Sequence, residues 1–282
     1  MQRSRVKGLF VNWLFWPMIT SVSGYTAFVG VMHAMQRSFM YHPYPLMTSP
    51  AALGLPEMQE IRLVSRDQMT LISWYAPPKK KGLPIVLYCH GNAGNIATRA
   101  FKVKPFLQSG YGVIMVGYRG YGTNPGLPSE SGLSVDAETA FQYLRAQGIP
   151  NNHIVIYGES LGSGVAVNLA VIQHPGALIL EAAFTSAVDV AKVTYWYLPV
   201  ELLMKDRFDS IRCIAHVHAP VLMLHGKRDG VVPIALGKRL FAAAAAPKEF
   251  VTIPHGMHAN LHEYGALERA IEFIKRHIPT KG

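Results

Sequence analysis

Hydrophobic positions are distributed differently in successive stretches of the 282-residue chain. From Gly8 to Gln36 they crowd into 29 residues without a formal charge, among them Leu9, Phe10, Trp13, Trp16, Ile19 and Phe28. At ~1.5 Å per residue such a helix could cross the ~30 Å hydrocarbon layer of a bilayer. Between Gln59 and Ala76, β-favouring residues flank Arg66 and Asp67 and predict a hairpin. From Pro84 onward, short apolar runs alternate with longer helical spacings: Ile85 to Cys89, Val113 to Val116, Ile154 to Tyr157, Ala177 to Leu180, Val221 to Leu224 and Phe250 to Ile253. Unbroken runs of Val, Ile and Leu are what a parallel sheet covered on both faces requires. Leu133 to Arg145 and Val165 to Gln173 read as crossover helices. The pattern predicts one open α/β domain with a mostly parallel central sheet and helices on both faces.

The expected division is a membrane anchor or signal segment at 1–37, a Pro-containing linker at 38–58, and a catalytic domain at 59–282 with a short lid at 185–219. That lid stretch is too short for a large cap domain and predicts an open site. Charge sharpens the N-terminal reading. The net charge is +10, and four of the basic residues, Arg3, Arg5, Lys7 and Arg37, precede the first acidic residue, Glu57, which leaves +6 for the rest. Basic residues before an apolar segment favour a cytoplasmic N-terminus, with Trp13 and Trp16 at the interface and the catalytic domain exported, periplasmic or lumenal. The alternatives are a signal peptide cleaved near Ser21 and Ser23, giving a secreted protein, and a soluble or interfacial helix. Nucleic-acid binding finds no basic patch interleaved with aromatics, since Lys79 to Lys81 read as a solvated turn. Two cysteines make no disulfide scaffold, and Cys89 and Cys213 are expected to be unpaired packing residues.

Five motifs sit at predicted strand ends. Gly158-Glu159-Ser160-Leu161-Gly162 follows a strand and precedes a helix, the context in which G-x-S-x-G raises a serine above the sheet as a nucleophile. An ordinary βα turn is the alternative. A serine needs a base and an orienting carboxylate. Asp229 fits the acid, with a helix-capping role able to coexist, and Glu181 is the reserve, more naturally a structural hydrogen-bonding residue beneath the turn. His255 and His258 both fit the base by position, and the spacing of His255, His258 and His262 invites a metal reading that lacks a paired acidic motif. His90-Gly91-Asn92-Ala93-Gly94-Asn95 follows the first strong strand, where acyl transfer needs an oxyanion donor; the backbone amides of Asn92 and Leu161 are the candidates. His90 reads as a positioning residue. Tyr118-Arg119-Gly120-Tyr121-Gly122 reads as a substrate-rim loop or a plain turn, and neither it nor the Asn92 turn fits a nucleotide-binding pattern, so no cofactor is expected.

Together with His225-Gly226-Lys227-Arg228-Asp229-Gly230-Val231-Val232-Pro233 and Gly256-Met257-His258-Ala259-Asn260, these motifs resemble the α/β-hydrolase superfamily, and within it the Bem46-like and ABHD13- and ABHD17-like serine hydrolases. The resemblance covers Gln36 to the C-terminus. It implies the α/β-hydrolase fold, Ser160 as nucleophile, Asp229 as acid, and His258 rather than His255 as base. It departs at Ala259, where relatives often carry Asn. The implied activity is hydrolysis of carboxylic esters or thioesters; an anchor that contacts membrane lipid would hold the site near the bilayer, which suggests lipids or acylated proteins as substrates, and no nucleic-acid partner is expected. A catalytically silent hydrolase-fold scaffold at the membrane is the alternative.

Overall fold

A computed structural model describes residues 5–245 and 247–278, with side chains from Phe15 onward. The expected hairpin forms from β1 (Gln59–Val64) and β2 (Thr70–Ala76), paired antiparallel. The apolar runs form β3 (Ile85–Cys89), β4 (Gly112–Met115), β5 (Ile154–Glu159), β6 (Ala177–Glu181), β7 (Val221–Gly226) and β8 (Lys248–Ile253). They assemble into one eight-stranded sheet in the order β8-β7-β6-β5-β3-β4-β2-β1. From β3 to β8 every pairing is parallel. Every residue of β3, β4, β5, β6 and β7 is buried, which is why these runs are continuous in sequence rather than alternating. The edge strand β1 is largely exposed.

Helices cover both faces. Apolar residues of α3 (Glu130–Ala146), α4 (Leu161–Gln173) and α8 (Ile234–Ala243) pack on one side of the sheet. Those of α2 (Ala100–Gln108) and α9 (Ala266–His277) pack on the other. The lid consists of α5 (Ala187–Thr194) and two single-turn helices, α6 (Val200–Leu203) and α7 (Ser210–Cys213). Cys89 and Cys213 are free thiols.

The N-terminal segment is helix α1, Arg5–Met40, 36 residues that continue past Arg37. Arg3 and the side chains of Arg5 and Lys7 lie outside the described residues. Among those described, no helix is long and apolar enough to cross a membrane, so the transmembrane helix expected from the sequence is not reproduced. Length is sufficient, at ~54 Å. The shortfall is in apolarity, which Thr20, Ser21, Ser23, Thr26 and His33 dilute. Two of these hydroxyls bond back to the helix itself, Thr20 Oγ1 to Trp16 O at 3.0 Å and Thr26 Oγ1 to Val22 O at 2.8 Å.

The C-terminal half of α1 turns one face inward. Val29, Met32, His33, Gln36 and Met40, at helical spacing, are partly buried. Val29 and Met32 pack with Val188, Leu198 and Val200 of the lid region. The short lid therefore does not bound the site alone; α1 adds a second wall to what its length had suggested would be an open site.

Candidate active site

The parallel strands deliver their carboxyl ends to one edge of the sheet, where an open α/β fold places its site. Ser160 follows β5 with φ 51° and ψ −119°, a left-handed conformation that costs ~1–3 kcal/mol in a non-glycine residue. The flanking glycines permit the turn. A Cβ on Gly162 would run into the Cys89 carbonyl oxygen, and one on Gly158 would meet Ala166 and the Gly162 carbonyl oxygen at 2.6 Å. The chain must pass from strand to helix with its backbone against β3, and only glycine leaves room.

Asp229 follows β7 and His258 follows β8. Their side chains meet Ser160 in a line: Ser160 Oγ lies 2.9 Å from His258 Nε2, and His258 Nδ1 lies 2.9 Å from Asp229 Oδ2. The other carboxylate oxygen of Asp229 accepts from the amides of Val231 at 2.9 Å and Val232 at 2.8 Å, so the residue holds its own turn and His258 at once. Burial raises the Asp229 carboxyl, yet its bond to His258, the His258 charge and the two amides outweigh burial and lower it overall. His255 is exposed beside Tyr264, and His262 packs against Phe101, so the three histidines of the loop face different neighbours.

Asn92 and Leu161 line the same cavity as Ser160. Leu161 is the first residue of α4, where amides lack intrahelical acceptors. Asn92 is clamped from three sides: its carbonyl accepts from His42 N at 3.0 Å and Tyr121 Oη at 2.8 Å, and its Nδ2 donates to Met40 O at 3.0 Å. His42–Pro43 also pairs as a two-residue parallel bridge with Ala93–Gly94. The Tyr118 to Gly122 turn therefore braces the Asn92 turn from behind. His90 is fully buried between Tyr118 and Tyr121, and burial lowers its pKa to about 4, leaving a neutral, wedged ring.

Beneath the serine turn lies a charged cluster that sequence reasoning missed. Lys102, 1% exposed, places Nζ 2.7 Å from Glu181 Oε1 and 3.2 Å from Glu159 Oε1. Arg99 Nε lies 3.0 Å from Glu159 Oε2. Tyr88 donates to Glu159 and Tyr157 to Glu181, while the Ser160 amide donates to Glu181 O at 2.8 Å. Burial works against the charge on Lys102, but the two carboxylates outweigh it and raise its pKa. The carboxylate of Glu181, the reserve acid, thus faces Lys102 and Tyr157 rather than His258. The sequence signals were a carboxylate inside the serine motif itself and Glu181, expected as a structural hydrogen-bonding residue beneath the turn; the cations Lys102 and Arg99 gave none.

Above Ser160 is a cavity of about 220 Å³ between α1 and the lid, lined mostly by apolar side chains. A hydroxyl, an imidazole and a carboxylate in hydrogen-bonded line can activate the hydroxyl toward an acyl carbon, and an apolar chamber beside them can hold a hydrocarbon group.

The fold and this geometry define an α/β-hydrolase, and the chain belongs to that family. An uncharacterized protein of Mycobacterium tuberculosis is 43% identical over 223 residues, 78% of this chain and 79% of that protein. Alpha/beta hydrolase domain-containing protein WAV2 of Arabidopsis thaliana is 33% identical over 287 residues, 90% of this chain and 92% of that one. Lysophosphatidylserine lipase ABHD12 of Danio rerio is 38% identical over 197 residues, covering 62% of this chain and 51% of the lipase. A family model described as serine aminopeptidase, S33, matches residues 80–213. Among solved structures, the Pyrococcus furiosus esterase Pf2001 superposes with a TM-score of 0.68 at 16% identity, over 85% of this chain and 100% of the esterase, a likeness of fold. The protein is a hydrolase.

Proposed function

We propose that the protein is a membrane-attached serine hydrolase of carboxylic esters or thioesters, acting on lipid or acyl-protein substrates. The observation that carries this reading is the line from Ser160 through His258 to Asp229, with both spacings at 2.9 Å, opening into an apolar chamber. Ser160 Oγ attacks the acyl carbonyl while His258 takes its proton, and Asp229 orients the ring and stabilises its charged form. The amides of Asn92 and Leu161 hold the oxyanion. Collapse returns the proton to the leaving oxygen or sulfur, and water then releases the acid by the same steps in reverse. The likeness to a lysophosphatidylserine lipase supports a lipid ester as substrate.

Attachment to the bilayer is supported by the apolar side chains that α1 and the lid leave outside, among them Trp16, Val22 and Val31 on the helix and Trp196 and Leu202 on the lid. The basic N-terminal end supports a cytoplasmic N-terminus with the catalytic domain exported; protease digestion of intact and permeabilised cells tests that topology, with protection after outer-layer permeabilisation counting against it. The activity is tested with a panel of p-nitrophenyl esters, lysophospholipids and acyl-thioesters in detergent. Wild-type protein is expected to turn over part of the panel and Ser160→Ala none of it. Equal turnover by both, or none by the wild type, contradicts the reading.

A further inference from the structure

Helix α1 occupies a position that a simple tether would not require. Its inner residues Met32 and Met40, with the half-exposed Phe39, line the chamber that begins at Ser160 and runs between α1 and the lid. Apolar residues of the lid, including Val190, Leu198 and Leu203, line the same space. The polar side chains that α1 brings there are occupied. His33 Nδ1 lies 2.9 Å from Leu203 O, Gln36 Nε2 donates to the same oxygen at 3.1 Å, and Gln36 Oε1 accepts from Lys205 N at 2.7 Å. Tyr25 Oη donates to Tyr197 O at 2.8 Å, and Arg37 pairs with Asp206 at 2.8 Å. Helix and lid are thus latched along a mostly apolar chamber, and the polar side chains His33 and Gln36 that line it are held by Leu203 and Lys205 of the lid. At its C-terminal end the same helix holds the Asn92 side chain through Met40 O.

From this arrangement we infer that the chamber is a site for a single linear acyl chain and that α1, as one of its walls, sets the chain length accepted. The inference rests on the hydrolase reading, since the chain must hang from a carbonyl at Ser160. It assigns to the N-terminal helix a part in substrate selection in addition to attachment.

The test uses the full-length protein and compares kcat/KM across p-nitrophenyl esters of increasing chain length, then across lysophospholipid and acyl-thioester series. Met32→Trp fills the chamber and is expected to lower the ratio of long-chain to acetate turnover by roughly tenfold or more, because a few methylenes lost from an apolar pocket are worth that much. Met32→Ala enlarges it and moves the optimum to longer chains, which decides the matter if the Trp variant fails to fold. A shift in both acyl series supports the site for any acyl donor, and a shift in one supports it and identifies the donor class. An unchanged chain-length profile in a folded variant, with Ser160-dependent acetate hydrolysis intact in the wild type, overturns the acyl site and leaves the hydrolase reading standing. A wild type inert toward every ester overturns both.

Discussion

Ser160 stands between two opposite environments. Below it, Lys102, Arg99, Glu159 and Glu181 are packed with two tyrosine hydroxyls into the space between α2 and the sheet. Above it, α1 and the lid border a mostly apolar chamber and direct polar atoms at each other. The lower region is directional: buried charges are tolerable only in hydrogen-bonded pairs, so each partner fixes the others, and the serine turn is fixed with them. The upper region is non-directional, and apolar contact tolerates changes of shape at modest cost. Position is set from beneath and selectivity from above.

That contrast predicts unequal responses to substitution. The largest loss of stability is expected for Lys102→Met, which leaves Glu181 buried without its cation and Glu159 with Arg99 alone, and costs about 3–5 kcal/mol in denaturant unfolding. A cost near zero would mean that the cluster is not structural. The same cluster makes stability fall in acid. Burial pushes the Glu159 carboxyl up, but the charges of Lys102 and Arg99 and the Tyr88 bond outweigh it and hold it below the usual carboxylate range. Its contribution is present above the ordinary Glu pKa of about 4.3 and is lost as pH falls toward the lower folded value. Unfolding measured from pH 6 downward is expected to lose stability in that window, and less steeply in Lys102→Met.

A smaller effect is expected for Tyr121→Phe, which removes one donor from Asn92 O and costs about 1 kcal/mol, or roughly fivefold in kcat/KM if the Asn92 amide serves the oxyanion. An unchanged kcat/KM would remove Tyr121 from the support of that turn. The smallest stability effect belongs to the outer apolar rim. Trp196→Ala and Leu202→Ala, at side chains 80% and 86% exposed, are expected to stay within about 0.5 kcal/mol of wild type in unfolding. Each is nevertheless expected to weaken sedimentation with lipid vesicles by roughly tenfold, because the apolar area it removes is buried only in the lipid-bound state. Unaltered vesicle binding would count against this rim as the attachment surface.

The two regions also differ in how far they could be read in advance. The buried strands were legible because a sheet covered on both faces leaves continuous apolar runs, and Ser160 and Asp229 stood out because each follows such a run, whereas His258 was separated from His255 only by the family resemblance. Lys102 did not stand out, since a lysine on a short helix that also carries Lys104 reads as solvated and only the fold brings Glu159 and Glu181 around it. The chamber was hidden for a different reason. Gly8 to Gln36 is apolar on many sides, so its pattern could not indicate that Met32 and Gln36 face the catalytic domain while Val31 and Met35 face outward. The short lid was legible as a length, but its pairing with α1 is a long-range contact with no local signature.

The central claim is that Ser160 is the nucleophile of this arrangement, and covalent labelling tests it most directly. Full-length protein is treated with a fluorophosphonate and the adduct is mapped by mass spectrometry. The account predicts a single adduct on Ser160, formed slowly in His258→Ala and absent from Ser160→Ala. Labelling at another residue, or undiminished labelling of Ser160→Ala, would contradict it.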